Sequence, residues 1–145
     1  MSESDEVVNV PTITTALARK LVQYAIDQAT VNGKPMVISI VDVSGVLKAF
    51  VRMDGAPLLS VGISQNKAYT AASFGLPTDG WFDFIKGDEP LKLGIVHTDR
   101  LVTYGGGYPI VVGGKVVGGI GLSGGHYSDD MAVAQAALKS AGLEG

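Results

Sequence analysis

The sequence predicts an α+β fold in a single domain, with a central, mostly antiparallel sheet of about five strands and helices packed on it. The 145 residues are the length of one domain and suffice to bury a substantial core. Two pairs of β-rich segments are each joined by a short turn, which is typical of β-hairpins. Segments with helical periodicity flank the hairpins, so the predicted element order is α-β-β-α-β-β-β-α.

The first helix is predicted from about Thr14 to Asn32, because apolar residues recur there at helical spacing. Thr12 or Thr14 is suited to cap its start, and Gly33 to end it. Residues 1–13 are expected to form an N-terminal arm, and residues 14–145 the folded domain.

A hairpin is predicted next, in which "MVISIVD" and "VLKAFVRM" pair across the turn "DVSG". A second helix follows and ends before Pro77. Its apolar stripe is predicted at four positions: Leu59, Ile63, Thr70 and Phe74. A long, turn-rich connection holding Trp81 then leads to a short strand, "RLVTY".

The clearest hairpin is "YPIVVGGKVVGGIGLS", with Gly113 and Gly114 as its two-residue turn. The last helix is predicted over "SDDMAVAQAALKSAG", with Ser128 as its N-cap and Gly142 at its end. Asp129 and Asp130 would then lie at the positive end of the helix dipole.

Composition excludes several classes of protein. A net charge of −3 without a basic cluster argues against a nucleic-acid partner. The chain has no cysteine, which rules out thiolate metal sites and cysteine nucleophiles. No apolar run approaches the roughly 20 residues of a membrane span, and the first residues are acidic rather than a secretory signal. These features predict a cytoplasmic protein with no membrane partner.

The glycine-rich stretch "GGIGLSGG" contains G-x-G-x-x-G at Gly119, Gly121 and Gly124. A dinucleotide-binding turn would need a βαβ context, whereas the strand before it folds back as a hairpin. Gly119 and Gly121 lie on one face of a strand, so either a helix or a flat ligand can approach the backbone there. Ser123, Gly124 and Gly125 lead into a helix N-terminus, which is suited to an anion such as a carboxylate.

Four stretches together resemble the GlcG/HbpS family of haem-degrading domains, which includes the C-terminal domain of PduO-type corrinoid adenosyltransferases. They are "VDVSGVLKAFVRMDGA", "KAYTAASFGLPT", "GGGYPIVVGGKVVGGIGLSGG" and "SDDMAVAQAAL". The resemblance implies an α+β domain that forms dimers or larger rings and binds haem, with iron release in some members. The resemblance also extends to a lyase that acts on hydroxylamino-benzoate. An enzyme is therefore implied as the alternative to a haem-binding protein.

Lys67 is the most informative candidate, because helical spacing places it on the buried stripe of the second helix. Its ammonium either extends to the rim or points into a polar pocket, where it would anchor a carboxylate or carry a proton. The family motif "KAYTAA" has a lysine at the same position.

Arg52 and Asp54 end the second strand, where they form an ion pair or where Arg52 clamps a carboxylate. Gly105, Gly106, Gly107 and Tyr108 are expected to bend the backbone toward a pocket wall. That bend is either part of the ligand site or purely structural.

His126 is the candidate axial ligand if haem binds, or otherwise a general acid or base. The other interpretation of His126 is an exposed loop residue, and His97 is expected to be one as well. Thr70 or Tyr108 would supply an oxygen ligand in its place. Two histidines without an acidic cluster do not predict a zinc site, and Ser123 has no identifiable base partner.

Three functions follow from these residues. The first is a small-molecule, haem-binding protein that forms a homo-oligomer, since Trp81, Phe82, Phe84 and Ile85 make an apolar patch on a small domain. The second is a cofactor-independent lyase or isomerase that acts on a small aromatic or hydroxy acid in a catabolic operon, with Lys67 or His126 as proton carrier. The third is an accessory partner with no chemistry of its own.

Overall fold

The computed structural model describes residues 5–143, so the first four residues of the expected arm and the last two of the expected domain lie outside the described residues. The described chain is one α+β unit, as predicted. Its helices and strands are α1 (Thr15–Asn32), β1 (Val37–Asp42), β2 (Leu47–Arg52), α2 (Ser60–Phe74), α3 (Trp81–Ile85), α4 (Glu89–Gly94), β3 (Gly107–Val112), β4 (Lys115–Ser123) and α5 (Tyr127–Ser140).

The sheet has four strands in the order β2-β1-β4-β3, and every neighbouring pair is antiparallel. On one face, Ile38, Ile40 and Ile120 pack against α1 and α5 in the main hydrophobic core. The other face carries α2, which lies mainly on β4 and β1. The domain therefore has three layers, with the sheet between α1/α5 and α2.

The predicted fifth strand is absent from the described residues, and "RLVTY" is an irregular segment before β3. Arg100 takes a left-handed conformation with φ 67°, which cannot continue a strand. A strand needs a neighbour to pair with, whereas the Thr70 side chain binds the backbone at Arg100 and Val102. The long connection before it contains the short helices α3 and α4.

Helix α2 rests on the sheet through glycines. A Cβ added at Gly119 would overlap the carbonyl oxygen of Ala68, and one added at Gly121 would overlap that of Ser64. Because helix and strand backbones approach so closely, only small or hydrogen-bonded side chains fit between them. The structure thus favours helix packing over a flat ligand at Gly119 and Gly121.

The predicted apolar stripe of α2 is correct at Thr70, which is buried, and wrong at its two ends. The relative exposure of Leu59 is 76% and that of Phe74 is 59%, so both project away from the sheet. The buried face holds small and polar residues, namely Ser60, Ser64, Lys67, Ala68, Thr70, Ala71 and Ala72. Its hydroxyls are paired, since the Ser64 Oγ lies 2.8 Å from that of Ser39.

The predicted ends of α1 are confirmed, because Thr14 caps its start and Gly33 ends it in a left-handed conformation. The predicted N-cap of α5 was wrong. His126 occupies that position, and its Nδ1 accepts the Ser128 N–H, which places Ser128 inside the helix.

Ile13, the last residue of the expected arm, is buried, and its N–H donates to the Val117 carbonyl at 3.0 Å. The arm is therefore attached to β4 at its end. Within residues 5–143, no helix is both long and apolar enough to cross a membrane.

Candidate functional site

Several of the predicted site residues lie along the same end of the sheet, on different strands. Arg52 pairs with Val37, which in turn pairs with Ser123 at the end of β4. Gly107 begins β3 beside Gly121, so the Gly105–Gly107 bend lies at the same end. Adjacent strands are about 4.8 Å apart, which places Arg52 about 14 Å from this bend.

Lys67 points inward, so the alternative in which it extends to the rim was wrong. Its ammonium donates to Asp130 Oδ2 at 2.8 Å and to the Leu122 carbonyl at 2.9 Å. The side chains of Lys67 and Asp130 are 1% and 3% exposed, which makes this a buried ion pair between α2 and α5. Burial lowers the pKa of Lys67 and raises that of Asp130, while the attraction between the two charges opposes both shifts.

The helix N-terminus suggested as an anion site is occupied by the chain's own carboxylates. Asp130 Oδ1 accepts the Gly125 N–H at 3.2 Å, and Asp129 Oδ2 accepts the His126 N–H at 3.1 Å. Asp129 also binds the ammonium of Lys34 at 2.8 Å. Asp129 and Asp130 therefore already neutralise the positive end of the α5 dipole.

Tyr104 covers the buried pair and belongs to an aromatic cluster with Tyr127 and His126. The Lys67 ammonium lies 5.1 Å from the centre of the Tyr104 ring, within reach of a cation–π interaction. Tyr104 and Tyr127 have ring centres 6.4 Å apart, and His126 lies 4.1 Å from Tyr127. Partial burial, followed by the charge of Asp130, raises the pKa of Tyr104. All three rings are solvent-exposed on their outer side.

The His126 imidazole has one nitrogen in use and one available. Nδ1 accepts the Ser128 N–H at 3.2 Å and lies 2.9 Å from the Ser128 hydroxyl. Nε2 has no partner within residues 5–143. As acceptor of the Ser128 N–H, Nδ1 carries no proton, and in the neutral ring the proton then lies on Nε2. A metal at Nε2 would require the other tautomer, in which the Nδ1 proton is donated to the Ser128 hydroxyl and the bond from the Ser128 N–H is given up.

The bend at Gly105–Gly107 is tight for a structural reason. Gly106 has φ +125°, and a Cβ there would lie 2.6 Å from Lys67 Nζ. A Cβ at Gly107 would overlap the Lys67 carbonyl, and one at Gly105 would overlap Met131. The bend therefore lets the backbone pass over the Lys67–Asp130 pair, and it seals that pair from solvent.

Several other candidates make structural hydrogen bonds. The Arg52 guanidinium donates to the Ala56 carbonyl at 2.8 Å, and within the described residues it makes no ion pair with Asp54. Ser123 Oγ bonds the Ser60 hydroxyl at 2.9 Å. Gly124 passes close to Pro35, where a Cβ would lie 2.6 Å from the carbonyl oxygen. Each of these groups connects elements of the fold.

An apolar groove of about 430 Å³ lies beside the connection between α2 and α3. Its walls are Phe74, Leu76, Pro77, Asp79, Gly80, Trp81 and Phe84.

The indole nitrogen of Trp81 and the hydroxyl of Tyr108 are buried without a hydrogen-bond partner in the described part of the chain. Burial, with the charge of Asp79, raises the pKa of Tyr108 to about 12.

Sequence reasoning missed Asp130 as the partner of Lys67, although a signal was present. Asp130 shares helical spacing with the buried residues Val133, Ala134 and Ala137, which places it on the inner face of α5. Tyr104 and Tyr127 were missed because nothing local links two rings 23 positions apart.

The described residues contain no group of three or more His, Asp or Glu side chains arranged to hold a metal ion. A haem ligand differs, because the porphyrin supplies four nitrogens and the protein needs to add one or two. His126, whose ring lies 4.1 Å from that of Tyr127, is the candidate for that smaller requirement.

The fold and this site define a small α+β domain that has exposed aromatic rings beside a buried ion pair. Comparison with known proteins identifies its family: the chain belongs to the HbpS-like family, described as "Haem degrading protein HbpS-like", whose model matches residues 13–139. The resemblance seen in the four sequence stretches is thereby confirmed.

Two curated relatives are similar to this chain. The first is an uncharacterized 15.0 kDa protein from the dhaT-dhaS intergenic region of Citrobacter freundii, 38% identical over 89% of this chain and 92% of that protein. The second is the corrinoid adenosyltransferase PduO of Salmonella typhimurium, 34% identical over 82% of this chain. The aligned part is 36% of PduO, so this chain corresponds to about a third of that protein.

Among solved structures, the complex of PduOC with haem superposes with a TM-score of 0.82. It is 32% identical in sequence, and the match covers 89% of this chain and 94% of that one. Membership of the family and this haem complex both support haem or tetrapyrrole binding as the function to test.

Proposed function

We propose that this protein binds haem or a related tetrapyrrole, with His126 Nε2 as the axial ligand. The observation that carries the proposal is the exposed imidazole, whose Nδ1 is held by Ser128 and whose Nε2 is free of protein partners in residues 5–143. Membership of the HbpS-like family and the similarity to the PduOC–haem complex support it.

The neighbouring side chains are suited to a flat, largely apolar ligand. Tyr127 and Tyr104 present ring surfaces beside His126, and ring stacking contributes to the binding of planar groups. Ser128 orients the imidazole through Nδ1, as a hydrogen-bond partner commonly does for a metal-ligating histidine. When bound, haem would supply a redox-active iron centre. Degradation of the haem is a further part of the proposal, tested by loss of its absorption under reducing conditions in air.

Titration with haemin tests the proposed ligand. We expect a saturable Soret band in the wild type, and a shifted or weakened band in His126→Ala. Ser128→Ala keeps the imidazole but removes the acceptor for Nδ1–H, so haemin affinity should fall by roughly tenfold or more.

His97→Ala is the matched control, because His97 lies on the exposed connection far along the chain from Ser128. Its haemin spectrum should equal that of the wild type. If the Soret band were identical in the wild type and in His126→Ala, the assignment of His126 would be wrong, and an oxygen ligand would take its place.

We further propose that the protein forms a homo-oligomer, a dimer or a larger ring. The apolar groove and the exposed rings of Phe82 and Phe84 lie on the same segment, which gives one surface both a cavity and projecting apolar groups. Monomeric proteins rarely expose apolar surface of this kind.

The second candidate function is a cofactor-independent lyase or isomerase that acts on a small aromatic or hydroxy acid. The Lys67–Asp130 pair favours it, because burial brings the proton affinities of the ammonium and the carboxylate closer together. A substrate would have to displace Tyr104 to reach the ammonium. Turnover of hydroxylamino-aromatic acids without added cofactor would support this function if it is kept or raised in Tyr104→Ala, which opens the path to the ammonium, and lost in Lys67→Met under conditions where circular dichroism shows that variant to be folded.

A further inference from the structure

Arg100 combines a strained backbone with a fixed side chain. Its φ of 67° makes it the single non-glycine residue with positive φ among those described. Residues other than glycine, asparagine and aspartate rarely adopt this backbone conformation, because their Cβ crowds the following carbonyl oxygen. Glycine would meet the same backbone requirement without strain, so arginine at this position calls for an explanation in its side chain.

The Thr70 hydroxyl on α2 holds this conformation in place. Its Oγ1 donates to the Arg100 carbonyl at 2.8 Å and accepts the Val102 N–H at 3.1 Å. Thr70 is buried, so both hydrogen bonds are protected from water. The residue predicted as a ligand contact is thus a positioning residue for Arg100.

The Arg100 side chain lies along the outer surface of α2. Its guanidinium carbon is 3.7 Å from the centre of the Tyr69 ring, and its Nε donates to Asn66 Oδ1 at 3.2 Å. Tyr69 itself rests against Gly45 in the β1–β2 turn, where a Cβ would lie 2.7 Å from the ring. One rigid helix therefore fixes both the backbone and the plane of the guanidinium.

The terminal nitrogens of Arg100, Nη1 and Nη2, have no hydrogen-bond or ion-pair partner in the part of the chain that the structure describes. The residue is partly exposed, which leaves these nitrogens open to a ligand. An exposed arginine normally loses much side-chain entropy on binding, but here stacking and the Nε bond have already removed it. A preorganised edge with paired N–H donors matches the two oxygens of a carboxylate.

We propose that Arg100 is the anchor of a carboxylate-binding site on the outer surface of α2, with Tyr69, Asn66 and Thr70 as positioning residues. The ligand is a small organic acid, or the carboxylate arm of a larger molecule such as a haem propionate. The site is distinct from the Lys67–Asp130 pair, which lies under the opposite face of α2.

Nuclear magnetic resonance titration with benzoate tests the site directly. We expect saturable shifts of the Arg100 Nε–H and the Tyr69 ring resonances, and none with the neutral analogue benzamide at equal concentration. Absence of a saturable benzoate shift at Arg100 would overturn the proposal.

Two variants separate binding from folding. Arg100→Gly removes the guanidinium and the backbone strain, so the melting temperature should hold while benzoate affinity falls at least tenfold. Arg100→Lys keeps the charge but lacks the paired donors and should also lose most of the affinity. Arg19→Gln, which removes an exposed arginine on α1, is the matched control and should bind benzoate as the wild type does. Unchanged benzoate affinity in Arg100→Gly would show that the guanidinium is purely structural.

Haemin and its dimethyl ester distinguish the two sources of the carboxylate. If a propionate occupies the site, the ester should bind more weakly than haemin in the wild type and equally well in Arg100→Gly. If a separate acid occupies it, haemin and its ester should bind alike while benzoate still shifts Arg100. The benzoate titration needs no haem, so its result is independent of the haem proposal.

Discussion

At the scale of single residues, the Lys67–Asp130 pair changes what a mutation at Lys67 means. Sequence reasoning alone expects Lys67→Met to keep or raise stability, because a poorly solvated charge is removed. The structure overturns that expectation, since the variant would leave the Asp130 carboxylate buried without its cation. The pair is an internal connection between α2 and α5, and its two members stabilise the fold only together.

We therefore expect Lys67→Met to lower the free energy of unfolding by about 3–5 kcal/mol at pH 7. The double variant Lys67→Met/Asp130→Leu should recover a large part of this loss, because it buries no charge. Urea unfolding of the wild type, both single variants and the double variant measures the coupling.

The pH dependence of Lys67→Met provides a second check. Burial raises the pKa of Asp130, so the folded variant binds a proton at a pH where the unfolded chain does not. Its stability should consequently rise as the pH is lowered from 7 toward 5. A Lys67→Met protein as stable as the wild type at pH 7 would contradict the uncompensated carboxylate.

Tyr108 has a hydroxyl that is buried without a partner within the described residues. Tyr108→Phe removes this unsatisfied group, so stability at pH 7 should hold or rise by up to about 1 kcal/mol. A loss above about 1 kcal/mol at pH 7 would show that the hydroxyl has a partner.

The same residue predicts an alkaline transition. The pKa of Tyr108 is raised to about 12 in the folded protein, whereas it is near 10 in the unfolded chain. The folded state thus binds more protons in that window, and stability should fall by up to about 3 kcal/mol as the pH rises from 10 to 12. Urea unfolding at pH 8 and pH 11 should show a smaller alkaline loss in Tyr108→Phe than in the control Tyr24→Phe.

At the scale of elements, α2 packs with its polar side inward. Gly107, Gly119 and Gly121 remove the side chains beneath it, so the helix backbone approaches β3 and β4 closely. Leucine or phenylalanine would not fit in that space, which explains why Leu59 and Phe74 face outward. The Ser60 hydroxyl bonds that of Ser123 and the Ser64 hydroxyl bonds that of Ser39 on the sheet. Both pairs are needed because an unpaired buried hydroxyl would be costly.

Gly121→Ala tests this packing. Its Cβ would overlap the Ser64 carbonyl and lie 2.7 Å from the Ala68 nitrogen. Because both contacts are to backbone atoms, stability should fall by about 1–3 kcal/mol or more. Gly62→Ala is the control on the exposed side of the same helix, where nothing lies within 4 Å of the added Cβ. It should gain about 0.5–1 kcal/mol through helix propensity, and thermal unfolding compares the two.

At the scale of the whole molecule, the apolar residues excluded from the α2–sheet contact are exposed on the surface. Phe74 forms one wall of the groove and contacts Trp81 edge-on, with ring centres 5.0 Å apart. Phe84 projects beside it and is 69% exposed. This apolar surface is the physical basis for the proposed oligomer.

We expect light scattering at micromolar concentration to report a dimer or a larger species. Phe82→Ser/Phe84→Ser should dissociate it, while Val31→Ser on the exposed side of α1 should leave its size unchanged. A wild-type monomer at that concentration would refute the oligomer.

Local patterns in the sequence determined most of the fold. The helical periodicity of α1 and α5, the two hairpins and the turn at Gly113 and Gly114 were predicted correctly, because each depends on contacts between residues near in sequence. Helical spacing also placed Lys67 correctly on the buried face of α2. The family motifs then indicated the class of ligand.

Only the tertiary structure decided what these elements present to one another. It paired Lys67 with Asp130, 63 residues away, and it placed Tyr104 over that pair. It also turned the apolar residues of α2 outward and replaced the expected fifth strand by the segment that holds Arg100. The physical reason is that these outcomes depend on the space between backbones and on long-range polar partners, neither of which a local sequence period records.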